Sequence, residues 1–312
     1  MCSGKPWMAA ALAAAMLAAG ACSRGGSAKR LEIALVVKAL DSEFWQRLRA
    51  GAEKAARAEP EVRLAVLAPE REINIDQQVA ILEDQVLKKP AALAVAPSGV
   101  SEVVPVLEKA RAAGIPVLIV DTEVPWPHRR SFIGIDNRLG GRLAGEYIVG
   151  AIGGRGKVAV IRGVLGVATQ EDRVTGFQEA IAQAPGVKCV AVQPANSERP
   201  LGMTVMENLL TLHPDLRAVF ATNDQMALGA MEAIAARNLT GKIVLVGFDA
   251  GREAVRAVQA GQMSAVMAQY PERIGQRAIE EAIKAARGEP IQPRIGIDTV
   301  LVTRDNAADF LR

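Results

Sequence analysis

From Leu31 to the end of the chain, short apolar runs alternate with segments whose apolar residues recur at helical spacing. The runs predict strands over Leu31–Val37, Val62–Ala68, Ala91–Ala96, Pro116–Asp121, Lys157–Arg162, Val187–Val192, Leu216–Ala221, Ile243–Phe248, Ser264–Gln269 and Ile297–Val302. Between them, amphipathic stretches predict helices over Glu43–Ala58, Ile73–Lys88, Val100–Ala113, Gly140–Gly150, Asp172–Ala182, Met203–Leu212, Met226–Arg237 and Glu272–Ala286. Strand–helix alternation over the whole chain is the pattern of an α/β protein with mostly parallel sheet. The strands are apolar almost without interruption, which fits burial on both faces. About ten strands exceed one comfortable doubly wound domain. The chain divides into two similar halves. The first ends near Asp136-Asn137, after the Pro-rich loop 124–130, and the second begins with the helix at Leu139.

Three strand ends carry a polar residue just past the apolar run: Asn223, Asp249 and Gln269. Successive strands of a parallel sheet end at one edge, where open α/β sheets bind their ligands. Two neutral amides and one acid converging there suit a ligand rich in hydroxyls, because together they donate and accept.

The first residues read as a targeting signal. Lys5 supplies a positive start, and an Ala-rich apolar core from Met8 to Ala19 is too short to span a bilayer. Ala19-Gly20-Ala21-Cys22 resembles a bacterial lipobox, with Ala19 where that pattern prefers Leu. The resemblance implies a signal peptide over 1–21, lipidated Cys22 as the mature N-terminus and a flexible tether over 22–29; the alternative is ordinary secretion with Cys22 removed. Cys189 then stands alone in the globular part and reads as a small buried hydrophobe.

A net charge of +3 and the lack of a basic stripe interleaved with aromatics exclude a nucleic-acid surface. Two histidines, His128 and His213, and no Cys/His cluster leave no zinc pattern. Gly153-Gly154-Arg155-Gly156 precedes a strand, the wrong order for a dinucleotide fingerprint, and no nucleophile has a base within a recognisable motif. Asp121 and Asp249 could mimic a glycosidase pair, but no catalytic residue, cofactor or metal is expected, and an enzyme is disfavoured.

Ile33 to Lys38 with Phe44-Trp45, Asp136 to Gly141, Gln193-Pro194-Ala195, Asn208-Leu209-Leu210, Asn223 to Gly229, Val246 to Asp249 and Ala268-Gln269 together resemble the periplasmic monosaccharide-binding proteins of ABC importers, of the ribose- and allose-binding type. The likeness runs from about Arg30 to Thr303. It implies two doubly wound, Rossmann-like lobes joined by three crossovers, the type I periplasmic binding protein fold shared with LacI-type repressor cores. The crossovers fall near Ile135–Asn137, Gln269–Tyr270 and Ile297–Thr299. One lobe is then residues 30–135 plus 270–297, and the other 136–269 plus 298–312.

The same resemblance implies the ligand contacts. Phe44 and Trp45 occupy positions where the family stacks aromatics on a sugar face; adjacent helical residues rarely both enter the core, so at least one faces the cleft. Asp121 and Asp249 accept hydroxyl donors, Lys38 and Arg173 donate and balance the two acids, and Ser42, Thr122, Asn223 and Gln269 complete the polar set. That balance implies a pocket near neutrality and an uncharged solute. Ser197 stands where the family has its second stacking aromatic, and Thr122 where the ribose-binding pattern has Arg, so a hexose, a deoxysugar or a cyclic polyol remains open beside ribose and allose. Trp126, in the loop after Asp121, faces either the cleft or solvent. The implied role is a monomeric, lipid-anchored binding protein of the periplasm or cell surface. It captures a neutral monosaccharide or polyol by hinge closure and delivers it to an ABC permease and its ATPase. The alternative is a sugar sensor serving a chemoreceptor or histidine kinase.

Overall fold

The computed structural model describes Met1 and residues 30–311; the expected signal peptide, Cys22 and the tether lie outside the described residues. Two six-stranded sheets organise the described chain. The first holds β1 (Leu31–Val36), β2 (Val62–Leu67), β3 (Ala92–Val95), β4 (Val117–Val120), β5 (Ser131–Gly134) and β11 (Arg294–Gly296), in the order β11-β5-β4-β3-β1-β2. The second holds β6 (Arg155–Arg162), β7 (Gly186–Pro194), β8 (Leu216–Ala221), β9 (Val244–Asp249), β10 (Ala265–Ala268) and β12 (Val300–Val302), in the order β12-β10-β9-β8-β6-β7. Every pairing is parallel except β10 with β12. Central strands such as β3, β4 and β10 are buried along their length, as their unbroken apolar sequence requires.

Nine α-helices cover these sheets among the described residues. They are α1 (Glu43–Arg57), α2 (Ile75–Lys88), α3 (Val104–Ala112), α4 (Asn137–Ala151), α5 (Ala168–Ala182), α6 (Arg199–Leu212), α7 (Asp224–Ala236), α8 (Arg252–Gln259) and α9 (Pro271–Ala286). The chain passes from the first sheet to the second between Gly134 and Asn137, back between Ala268 and Pro271, and across again between Gly296 and Val300.

Three helix pairs close to backbone contact at glycine, α6 with α7 and the two pairs that carry candidate ligand contacts. A Cβ on Gly51 of α1 would run into the Glu272 carbonyl oxygen of α9, and one on Gly275 into that of Leu48. A Cβ on Gly141 of α4 would strike the Arg173 carbonyl oxygen of α5. These pairs matter for the site because α1 and α5 carry candidate ligand contacts.

The sequence reading differs at three elements. Ile297–Val302 is not one strand. β11 ends at Gly296 in the first sheet and β12 begins at Val300 in the second, so the run contains a crossover. β5, only four residues long, comes after β4 without an intervening helix, so no change of periodicity announces it. The eight-residue helix α8 is also added. Trp126 belongs to neither the cleft nor the solvent. It is 2% exposed in the core beside Phe132, with its indole N–H donated to Glu108 at 2.6 Å. Cys189 is half-buried at the edge of the core, and burial pushes its thiol pKa up.

Candidate functional site

The carboxyl ends of both sheets face one cavity of about 120 Å³. Lys38 lies just past β1, Ser42 precedes α1, Phe44 and Trp45 open that helix, and Asp121 lies just past β4. From the other sheet come Arg173 on α5, Asn223 before α7, Asp249 at the end of β9 and Gln269 after β10. Nine of the ten residues expected from the sequence thus line one space. Thr122 does not. It is fully buried behind the wall, where its hydroxyl donates to Asp121 Oδ2 at 2.8 Å. Ser197 also lies off this cavity, with a left-handed φ of 66° and a buried hydroxyl that has no partner.

Two buried ion pairs face each other. Lys38 Nζ lies 3.1 Å from Asp121, and Arg173 lies 3.6 Å from Asp249. Each pair forms within one lobe. The Arg173 guanidinium is fixed from three sides: Nε donates to Asn137 at 2.9 Å, another nitrogen to the Thr222 carbonyl at 2.7 Å, and its plane lies 3.8 Å from the Phe248 ring centre. Such a preorganised fork loses little entropy when it binds. Asp121 and Asp249 both hold positive φ, 61° and 105°, a conformation that costs of order 1–3 kcal/mol for a non-glycine residue. The two strained backbones turn the acids at the ends of their strands.

Asp249 accepts from the Gln269 amide at 2.7 Å. Burial raises its carboxyl pKa from 3.8 to about 7, against the opposing pull of Arg173 and Gln269. Gln269 Oε1 is buried without a hydrogen-bond partner. Asn223 spends its oxygen capping α7 at Met226 N–H and keeps an amide that reaches only weakly, at 3.4 Å, to the Ser197 carbonyl. Phe44 and Trp45 meet edge to face, with ring centres 4.9 Å apart. Trp45 donates its indole N–H to Glu72 at 2.8 Å.

Glu43, Glu72, Thr169, Gln170 and Asp224 also line the cavity and were missed in the sequence. Asp224 and Glu43 adjoin expected residues, and that adjacency was the available signal. Glu72 comes from the loop after the edge strand β2 and has no such marker. These acids change the charge of the site. Six carboxylates line the cavity against the two cations Lys38 and Arg173, so the expected near-neutrality does not hold for ionised side chains. Burial first, and the Asp249 charge second, push the Asp224 carboxyl well above the usual carboxylate range.

Two contacts join the halves across the cavity. Lys38 Nζ reaches Thr169 Oγ1 at 3.4 Å, and the Arg252 backbone N–H donates to Glu43 at 2.8 Å.

The periplasmic binding protein domain model matches residues 33–290. The chain belongs to that family. The ribose import binding protein of Escherichia coli K12 is 36% identical over 274 residues, covering 87% of this chain and 90% of that protein. The D-allose-binding periplasmic protein of the same organism is 32% identical over 288 residues, covering 88% and 92%. A solved ABC transporter periplasmic solute-binding protein from Actinobacillus succinogenes 130z, with bound D-allose, superposes with a TM-score of 0.84 at 32% identity, covering 90% of this chain and all of that one. The two doubly wound lobes and three crossovers are therefore the type I periplasmic binding fold. The family is one of solute-binding proteins and not of enzymes, and it places the chain outside the cytoplasm.

Proposed function

We propose that this periplasmic binding protein captures a single-ring monosaccharide or polyol between its lobes by hinge closure and delivers it to an ABC importer. The observation that carries the reading is one cavity bounded by both sheet edges, with two fixed ion pairs, two adjacent aromatics and the side-chain amides of Asn223 and Gln269. Charged pairs offer hydroxyls acceptors and donors at set positions, and the aromatic faces suit the C–H face of a ring. The cavity volume of about 120 Å³ has room for several waters, a space sufficient for one sugar ring. The relatives named for ribose import and D-allose binding support the class of solute and the partner.

In this reading the lobes are residues 30–135 plus 270–297 and 136–269 plus 298–312. They turn about the three crossovers, and the closed pair forms the surface a permease reads. Cys22, lipidated after removal of 1–21, anchors the protein. Two or more acyl chains hold a protein on a membrane where one gives marginal binding.

A thermal-shift screen against monosaccharides and cyclic polyols tests the function. A true ligand at a hundredfold excess over its dissociation constant stabilises the fold by about 2.7 kcal/mol. A shift with nucleotides or amino acids, and none with any polyol, overturns the reading. Detergent partitioning tests the anchor: Cys22→Ser releases the protein if Cys22 carries the lipid.

A further inference from the structure

The Trp45 side chain is buried, so its indole N–H needs a partner inside the protein. Glu72 supplies it, with Oε1 accepting at 2.8 Å. Glu72 stands in the turn that follows the edge strand β2. The Asn74 N–H donates to the Arg71 carbonyl at 3.0 Å and closes that turn. The Glu70 N–H donates to the Gln77 side chain at 2.8 Å and ties it to α2. The backbone of Glu72 is thereby held, while its side chain reaches the cavity wall. Among the described residues no cation pairs with Glu72, and the indole is its one hydrogen-bond donor.

The indole in turn carries a cation. Lys38 Nζ stands over the ring, 5.7 Å from its centre, in reach of a cation–π contact. The same Nζ lies 3.1 Å from Asp121 and 3.4 Å from Thr169 across the cavity. The contacts therefore run in series, from Glu72 to Trp45 to Lys38 to Asp121, and no hydrogen bond or ion pair joins Glu72 to Lys38 directly. A charged acceptor on the indole N–H polarises the ring and strengthens its pull on the ammonium. Lysine needs such a support. Its ammonium is a point charge on a flexible four-carbon stem, whereas the guanidinium of arginine is a rigid fork. Arg173 is already fixed by Asn137, Thr222 and the Phe248 ring. The two cations that line the cavity thus each rest on an aromatic ring, and for Lys38 that ring is held by Glu72.

We propose that Glu72 is a positioning residue for solute binding: it fixes the Trp45 indole and, through that ring, sets where the Lys38 ammonium stands. The inference rests on the monosaccharide-or-polyol reading above, and adds a residue from the loop after β2 to the set that reads the solute. Lys38 is the donor that the first sheet presents to a solute hydroxyl, so a displaced indole costs affinity even where no atom of Glu72 touches the solute.

Two measurements test it. The first needs no solute. In a proton–nitrogen correlation spectrum of the ligand-free protein, Trp45→Phe assigns the Trp45 indole N–H signal. Glu72→Ala should move that signal upfield and speed its exchange with water, while the Trp126 indole signal, held by Glu108, stays in place. Glu72→Gln keeps an acceptor oxygen and should hold the signal closer to its wild-type position. The second is isothermal titration with D-ribose, D-allose and myo-inositol. For a probe that binds, Glu72→Ala should weaken binding about tenfold, with most of that loss recovered in Glu72→Gln. In a Lys38→Met background, Glu72→Ala should cost about twofold or less, because the group it positions is gone. A Trp45 signal unmoved by Glu72→Ala overturns the contact. Wild-type affinity in Glu72→Ala, with the signal moved, leaves Glu72 a structural partner of the indole and overturns its role in binding. A tenfold loss that persists in full without Lys38 overturns the series. If none of the three probes binds the wild-type protein, it is the monosaccharide-or-polyol reading that loses support. Urea denaturation of Glu72→Ala, Lys38→Met and the double variant then decides the series without a solute, as it does if Lys38→Met alone abolishes binding: additive losses overturn it, and a double variant no less stable than Lys38→Met supports it.

Discussion

At the scale of single residues, the site depends on pairs more than on individual charges. Arg173 and Asp249 lie opposite each other in a buried wall, and removing either leaves the other unpaired. Breaking a buried pair costs about 3–5 kcal/mol, more than an exposed ion pair is worth. Asp249→Ala and Arg173→Ala should therefore each weaken ligand binding by about a hundredfold or more, measured by isothermal titration. Circular dichroism should show the folded secondary structure retained. Asp249 also links stability to pH. Its carboxyl is raised from 3.8 to about 7 by burial, so the folded chain holds that proton more tightly than the unfolded chain. The stabilisation is full below 3.8 and is lost as pH rises through about 7. The ligand-free protein should lose stability across that window, and Asp249→Asn should flatten the slope, as thermal denaturation at several pH values would reveal. Residue by residue, the sequence disclosed what sits at strand ends, such as Asn223, Asp249 and Gln269. It did not disclose Glu72, because the loop after an edge strand reaches the cavity only through the folded path of the chain.

At the scale of elements, the helices that carry the site are positioned by close backbone approach. Gly141 lets α4 lie against the backbone of Arg173 itself, so the packing of α4 on α5 sets where the guanidinium stands. Gly141→Ala should cost about 1–3 kcal/mol by overpacking and weaken ligand binding as Arg173 shifts. Gly150→Ala on the same helix meets nothing within 4 Å and should be neutral or stabilising by about 0.5–1 kcal/mol. Paired denaturant melts and titrations of the two variants separate packing from helix propensity. The elements that periodicity missed share a cause. β5 and α8 are too short, at four and eight residues, to establish a period of their own. Trp126 was misplaced because a loop residue is ordinarily exposed, whereas here the loop folds its indole into the core onto Glu108.

At the scale of the whole molecule, the cavity exists only where two sheet edges meet. The contacts from Lys38 to Thr169 and from Arg252 to Glu43 cross the cavity, and a ligand bound by both lobes would add to them. A ligand that contacts both lobes binds the closed form best and shifts the population toward it. Small-angle scattering with a ligand confirmed by the thermal screen should give a smaller radius of gyration than without it. An unchanged radius would rule out closure as the capture step. The amino-acid sequence by itself determined the α/β class, the order of most strands and helices, and the polar residues that end the strands. Those properties are local, written in the period of the apolar residues and in the polar residue that closes a run. Only the tertiary structure decided that Ile297–Val302 serves two sheets, that Thr122 stands behind Asp121 instead of in the cavity, and that six carboxylates share a space with two cations. Charge balance in a cleft depends on which distant loops converge there, and no periodicity along the chain records that distance.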